Sequence, residues 1–342
     1  MNRLMPPSTL QSLPLHSMPT LITGPVGISP ALAMATFNPP ANSNSHSGSH
    51  DGSSFDNKTG VHTRRLLDSD FKDIHRVICA SFDVEIPMAE IDIRLRQNGY
   101  DPLISIGAFH EKAMVGFWLS SFRTIGDRNK AFCTGAAVLS EWRRRGIATG
   151  LLRQAEATAR KMKASTYGLL VDSSNKAAVA LYEKVGFLKS REFVTYSAAE
   201  TSFDSEENDV MASTVQLERA LSAGNLIQHP LSWTGVNGGL FRVRDSLIAA
   251  IAVHEGQDIG YGIFQPVTGR ILQFGVKMMN RRLEVSAVQA LLRLIFESSE
   301  DNRKPELFLI PSESMRIPAL LSDFGFRQSN RQSEMTLDLR HK

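Results

Sequence analysis

Six consecutive residues, Arg143-Arg144-Arg145-Gly146-Ile147-Ala148, stand where an apolar strand-like run, Ala131 to Leu139, gives way to a helical pattern. The first backbone N–H groups of a helix point outward unpaired, and its dipole adds partial positive charge, so a pyrophosphate can be cradled there. Gly146 leaves room for phosphates beside the main chain, and Ala148 is small where the helix would pack near a ligand. The three arginines attract an anion and can bond it. The same residues also suit a solvated basic helix start.

A second constellation comes one strand later: Asn175, Ala178, Leu181, Tyr182, then Gly186-Phe187. Asn175, Ala178 and Tyr182 fall at spacings of three and four, hence on one helical face. Ser173, Ser174 or Asn175 can cap that helix, and Gly186 suits the left-handed residue that closes it. The phenol of Tyr182 is a proton donor at neutral pH, although a tyrosine at such a spacing also serves as a half-buried packing residue.

These residues need elements to hold them. RLLDSDFKDIHRVICASF predicts a strand and then a helix from about Asp68, with Phe71, Ile74, Ile78 and Phe82 on one side. LISIGAFHEKAMVGFWLSSF predicts a hairpin turning at His110–Lys112. After the strand from Ala131 to Leu139, Ile147, Leu151, Leu152, Ala155, Ala159 and Met162 predict an amphipathic helix. YGLLVDS then reads as a strand, NKAAVALYEKVG as a short helix, and a last pair of strands is expected from Phe187 onward. The class is α/β, an α+β mixed sheet with flanking helices.

The order recurs in the second half. His110-Glu111 and Gly116 match His254-Glu255 and Gly260, while Val138 and Gly186 match Val276 and Gly325 at nearly the same offset. Anchors that keep one order argue for a duplication. The expected division is a disordered tail over 1–61, a catalytic domain over 62–200, a linker over 201–225 and a degenerate copy over 226–342. The tail is rich in Ser, Pro, Asn and Gly, which bury too little apolar surface to offset ordering. A targeting peptide is its competing reading, opposed by Gly24, Pro25, Gly27 and Pro30 inside the apolar stretch.

RRRGIA followed by SSNKAAVALYEKVGF resembles the GNAT superfamily of acetyl-CoA-dependent N-acetyltransferases, whose cofactor motif has the form Q/R-x-x-G-x-G/A. The resemblance covers about residues 62–197, and the duplication is similar to tandem GNAT proteins with one degenerate copy. It implies acetyl-CoA as cosubstrate and an amine of a small molecule or peptide as acceptor. It also implies that backbone amides near Val138 and Leu139 hold the pantetheine arm. Arg143, Arg144, Arg145, Gly146, Ile147, Ala148 and Thr149 would then surround the pyrophosphate, with Asn175 and Tyr182 near the thioester.

The implied chemistry is direct attack of a neutral amine on the thioester carbonyl, with the Leu139 N–H bonding the oxyanion. Tyr182 then protonates the leaving thiolate, uphill by about 1.5 units between a phenol near 10 and a thiol near 8.5. The general base stays open among Glu141, Asp83, Glu85 and a water relay. Asp83, Glu85 and Glu90 could attract a cationic amine or form a solvated acidic face. In the second copy, alignment through Val276 puts Glu284 at the place of Gly146 and Ser286 at that of Ala148, and alignment through Gly325 puts Leu321 for Tyr182 and Ser314 for Asn175. That copy is expected to bind no cofactor. A reading of a different class is a non-catalytic acyl-CoA-binding sensor or interaction module.

Composition limits the alternatives. The 342 residues are 42% hydrophobic and 21% charged, with 38 basic against 35 acidic side chains, too balanced to suggest a nucleic-acid partner. No apolar run approaches the roughly 20 residues that cross a bilayer, so no membrane partner is expected. Histidine spacing predicts no metal site. Cys79 and Cys133 lie in apolar surroundings and read as buried free thiols, which fits a cytoplasmic protein. Neither the acceptor nor the oligomeric state is written in these motifs.

Overall fold

The computed structural model describes residues 54–56, 60–199, 209–227 and 229–340. The first unit comprises β1 (Ser54–Asp56), β2 (Val61–Arg65), α1 (Phe71–Phe82), α2 (Met88–Asn98), β3 (Ile106–His110), β4 (Ala113–Ile125) and β5 (Arg128–Val138). It continues through α3 (Ile147–Lys161), β6 (Thr166–Asp172), α4 (Lys176–Val185) and β7 (Leu188–Ala198). The second unit repeats the order as β8 (Met211–Val215), α5 (Leu217–Ser222), α6 (Asn237–Phe241), β9 (Ile248–His254), β10 (Gln257–Gln265) and β11 (Arg270–Val276). It ends with α7 (Arg281–Glu297), β12 (Glu306–Pro311), α8 (Arg316–Ser322) and β13 (Phe326–Asp338).

The helix patterns hold because their apolar stripes have a sheet to cover. On α3, Ile147, Ala148, Leu151, Leu152, Ala155 and Ala159 are buried, and α4 buries Ala178, Leu181 and Tyr182 against the same face. At about 1.5–3 kcal/mol for each large aliphatic residue removed from water, that seam outweighs helix propensity. The other face of the sheet carries α1 and α2, packed through Ile74, Val77, Ile78, Ile91 and Leu95 onto Phe117 and Leu119.

The duplication is visible in backbone geometry. The hairpin turns place Glu111 (φ 52°) and Glu255 (φ 49°) in the left-handed region. Gly116 pairs with Val138 as Gly260 pairs with Val276. The next amides, of Leu139 and Lys277, donate to Val115 and Ile259 at 2.9 and 2.7 Å.

The expected last pair of strands is where the fold departs from the sequence reading. All 13 strands form one sheet in the order β1-β2-β3-β4-β5-β6-β13-β7-β12-β11-β10-β9-β8. The first unit supplies one long strand after Phe187, β7, and its expected neighbour comes from the other unit. Antiparallel β13 fills the gap between β6 and β7, while β7 fills the gap between β12 and β13. Each unit's last strand thus completes the sheet of the other.

Of the span 201–225 expected as linker, residues 201–208 fall outside the described residues, while β8, which pairs β9, and α5 belong to the second unit. Most of the tail expected over 1–61 also lies outside the described residues, apart from β1 and the turn entering β2. Among the described residues no helix is long and apolar enough to cross a membrane.

Candidate active site

Two parallel strands of the first unit begin paired and then part. β5 and β6 are bonded only from Lys130–Thr166 to Phe132–Gly168. Just past the last pair, β5 carries a bulge: Leu119 faces Gly135 and Ser120 faces Cys133, leaving Thr134 without an opposite residue. A bulge bends the strand and re-aims its side chains, here where the splay opens.

The wider end of the splay leads to the start of α3. Gly146 is the N-cap with φ 80° and supplies no side-chain cap, so the first amides of the helix face outward. A Cβ built on Gly146 would meet nothing within 4 Å. The glycine is therefore needed for its left-handed backbone, and the space beside it is open. Ile147 and Ala148 are buried at the base of this cradle, and Thr149 is half-buried.

The three arginines do different work. Arg143 Nε donates to the Val138 carbonyl at 3.0 Å, and Nη2 donates to that of Ser81 at 3.0 Å, tying the loop to the end of β5 and the last turn of α1. Two of its donors thus serve main-chain carbonyls of its own chain. Arg144 (φ 63°) is exposed, and exposed Arg145 lies over the Trp142 ring at 4.7 Å while donating to the Glu141 carbonyl. These two remain turned toward solvent beside the cradle.

Strand parity corrects the expected oxyanion donor. The Leu139 amide is committed to Val115, and neighbouring residues of a strand turn their N–H groups to opposite sides. Ala136 and Val138 therefore direct theirs to the side that β6 has left.

Asn175 caps α4, its Oδ1 accepting from the Ala178 amide at 3.1 Å. Farther along α4, Tyr182 is only 2% exposed, with its ring edge-on to Trp118 and against Phe187 at centroid distances of 6.3 and 5.8 Å. Burial, with the nearby Cys133 and Tyr167, pushes its hydroxyl well above the usual phenol range. Proton release from Tyr182 is thus more costly than the 1.5 units expected from free side chains. Beneath it, Trp118 Nε1 donates to the Tyr167 hydroxyl, which also bonds Ser120, both at 2.6 Å.

The candidate bases are spread along the rim. Glu141 is exposed on the turn before α3, with the Ser140 hydroxyl donating to it at 3.0 Å. Asp83 and Glu85 are exposed just beyond α1. Glu90, grouped with them as an acidic attractor, is instead buried and paired with Arg94. Cys133 is buried and its thiol is pushed up by desolvation, whereas Cys79 is half-buried with its sulfur 3.7 Å from His75 Nε2. Among the described residues no group of three or more His, Cys, Asp or Glu could hold a metal.

The second unit has the same splay, with β11 and β12 paired only at Arg270–Glu306 and Ile271–Leu307. The loop after β11 departs from the sequence alignment. Gly146 comes eight residues after Val138, but the N-cap of α7, Asn280, comes four after Val276. The loop is shorter by one helical turn, so Asn280 holds the place of Gly146 and Glu284 sits inside the helix. Asn280 bonds the Leu283 amide, and the Glu284 carboxylate accepts from the Met279 amide at 2.8 Å. From α8, Arg316 donates to Glu284 and to the carbonyls of Val276 and Lys277 at 2.7, 2.8 and 3.0 Å. The terminus open in the first unit is closed here by the chain itself.

Several site residues were missed by sequence reasoning. Thr134 is marked only by strand pairing. Helix α2 carries a readable signal in Pro87, Ile91, Leu95 and Gly99, but the significance of its Arg94 emerges only from contacts with the second unit.

The family model of the acetyltransferase (GNAT) family matches residues 71–187. No curated protein matches the sequence. Among solved structures, the fold resembles a GCN5-related N-acetyltransferase from Sphaerobacter thermophilus, with TM-score 0.63 and 14% identity over 84% of this chain and 98% of that one. It also resembles a tandem GNAT protein from the clavulanic acid biosynthesis pathway, with TM-score 0.63 and 14% identity over 82% and 99% of the two chains. Residues 71–187 form a domain of the acetyltransferase (GNAT) family, and the chain as a whole has the two-unit fold of tandem GNAT proteins.

Proposed function

We propose that the first unit transfers an acetyl group from acetyl-CoA to an amine of a small molecule or peptide by direct attack, and that the second unit binds no cofactor. The observation that carries this reading is the contrast between two helix starts: α3 opens onto free space at Gly146, while α7 is filled by Asn280, Glu284 and Arg316. An anion cradle with no internal occupant fits a diphosphate.

In this reading the amides of Ile147, Ala148 and Thr149 hold the pyrophosphate, with Arg144 and Arg145 adding long-range attraction. The amides of Ala136 and Val138 line the pantetheine path and face the developing oxyanion. Acetyl-CoA supplies the activated acetyl group when bound. Tyr182 keeps its proton until a thiolate needs it, and Asn175 fixes α4 and hence the ring. Asp83 and Glu85, just beyond the end of α1 that Arg143 ties to the α3 loop at Ser81, share with Glu141 and water the role of accepting the amine proton. A cytoplasmic location belongs to the same reading.

One observation favours the sensor alternative: Tyr182 is buried and its phenol is a weak acid. Free-thiol release with acetyl-CoA and a panel of amines separates the two. Amine-dependent thiol release supports transfer, and cofactor binding without release from any amine supports the sensor.

A further inference from the structure

Resting on the acetyl-transfer reading, we propose that the cavity between the two units seats the acceptor, and that the acceptor is a small amine carrying a carboxylate held at Arg94. The cavity, about 80 Å³, is lined by Cys133, Thr134 and Gly135 at the bulge, by Arg94 and its neighbours on α2, and by Arg270 and Phe308 of the second unit. It therefore meets β5 at the residue where the splay opens, on the face opposite α3 and α4.

Its wall is one-sided in charge. Arg94 and Arg270 are the charged side chains that line it, while Glu90 and Glu306 bond these arginines without lining the cavity. The Arg94 side chain is 11% exposed, and burial together with the neighbouring Arg270 lowers its guanidinium to about 9. Such a group gains from any further negative charge brought against it. Two polar atoms of lining residues, Arg94 Nε and Thr134 Oγ1, are buried without a hydrogen-bond partner. Buried donors are rarely left unmade, and a guanidinium with an N–H still unpartnered beside its Glu90 bond can take a second carboxylate. The remaining amides serve the interface: Gln97 donates to the Thr234 carbonyl and accepts from Gln265.

This wall selects against the polycationic acceptors that an acidic rim would attract. The guanidinium groups at the wall are donors and offer a second ammonium group no acceptor, while their carboxylate partners are turned away from the cavity, so polyamines and lysine-rich peptides are disfavoured, whereas a carboxylate completes Arg94 and leaves the amine at the far end to approach Thr134 and the splay. The small volume suits a molecule on the scale of a free amino acid.

The test uses the full chain and free α-amino acids, each beside its carboxamide and the amine lacking the carboxyl group. Thiol release is measured with acetyl-CoA, and binding is measured by calorimetry on protein saturated with CoA. The expected result is that acids are preferred over their amides by at least roughly 10²-fold in kcat/KM or in affinity, because an unpaired buried group penalises the analogue that lacks the partner. Arg94→Gln should erase most of that preference while leaving acetyl-CoA affinity unchanged. Amides or simple amines binding as well as the acids to the unmodified protein would overturn the inference, whether or not turnover is seen. Absence of thiol release with every amine, alongside tight selective binding of an acid, would instead overturn the transfer reading and leave the cavity assignment standing.

Discussion

Glu284 and Arg316 meet at 2.7 Å in the second unit, closing the place where the first unit leaves a helix terminus open. Burial alone would raise the Glu284 carboxyl, but the Met279 amide and Arg316 outweigh it and hold the group below the usual glutamate range. A depressed carboxylate contributes stability above its unfolded value, about 4.3, and loses it as pH falls through the lower folded value. Glu284→Ala is expected to cost about 2–3 kcal/mol in urea unfolding at pH 7, less than a fully buried pair because Arg316 is partly exposed. The gap between variant and parent should close below about pH 4. A gap that stays constant down to pH 3 would mean that the carboxylate's charge plays no part.

Gly146→Glu places a carboxylate at the mouth of the proposed phosphate cradle. Since a Cβ there meets only open space, the fold should survive at a cost of about 1–2 kcal/mol for the left-handed backbone. Acetyl-CoA affinity should fall by at least roughly 10²-fold, with Gly146→Ala falling far less, since its strain is the same and its charge is absent. Equal affinities for the two variants in calorimetry would remove the diphosphate from this site.

The three arginines should separate by experiment. Arg143→Ala unties two carbonyls and is expected to lower stability by about 1–3 kcal/mol. The double variant Arg144→Ala/Arg145→Ala should leave unfolding nearly unchanged but weaken acetyl-CoA binding and flatten its salt dependence. Titrations at two ionic strengths, beside thermal melts, check both halves of the statement.

Tyr182→Phe retains the ring against Trp118 and removes the hydroxyl. If Tyr182 is the acid, turnover should drop by roughly 10² to 10⁴ with acetyl-CoA affinity little changed. Because its ionisation is pushed well above 10, the parent enzyme's kcat should show no loss assignable to this residue up to about pH 10. Turnover unchanged in the Phe variant would assign Tyr182 to packing, where losing the hydroxyl costs about 1 kcal/mol.

Local chemistry was readable in the sequence where it is set by local rules. The stripe Leu151, Leu152, Ala155, Ala159, the cap at Asn175 and the closing Gly186 (φ 106°) all follow from spacing and residue type, and the structure uses them as such. Pairing across more than a hundred residues has no such mark. Nothing near Phe187 states that β7 will lie between β12 and β13, since any apolar strand of that length would satisfy the same periodicity. The same limit hid the true start of α7, because a four-residue deletion in a loop changes no pattern on either side. It also hid the tie that Arg143 makes to two carbonyls, which a run of three like charges does not announce.

The strand exchange also has a consequence in time. As the ribosome moves along the message, β6 and β7 emerge long before β13, the strand that must lie between them. About 128 residues separate Ala198 from Phe326, which at roughly 5–20 residues per second is a wait of roughly 6–26 s. During that interval the nascent first half presents one unpaired edge of β6 and both edges of β7 over an apolar face, the kind of surface on which chains aggregate. The protein's most dangerous moment is therefore during translation, when a chaperone that binds exposed edges would matter most.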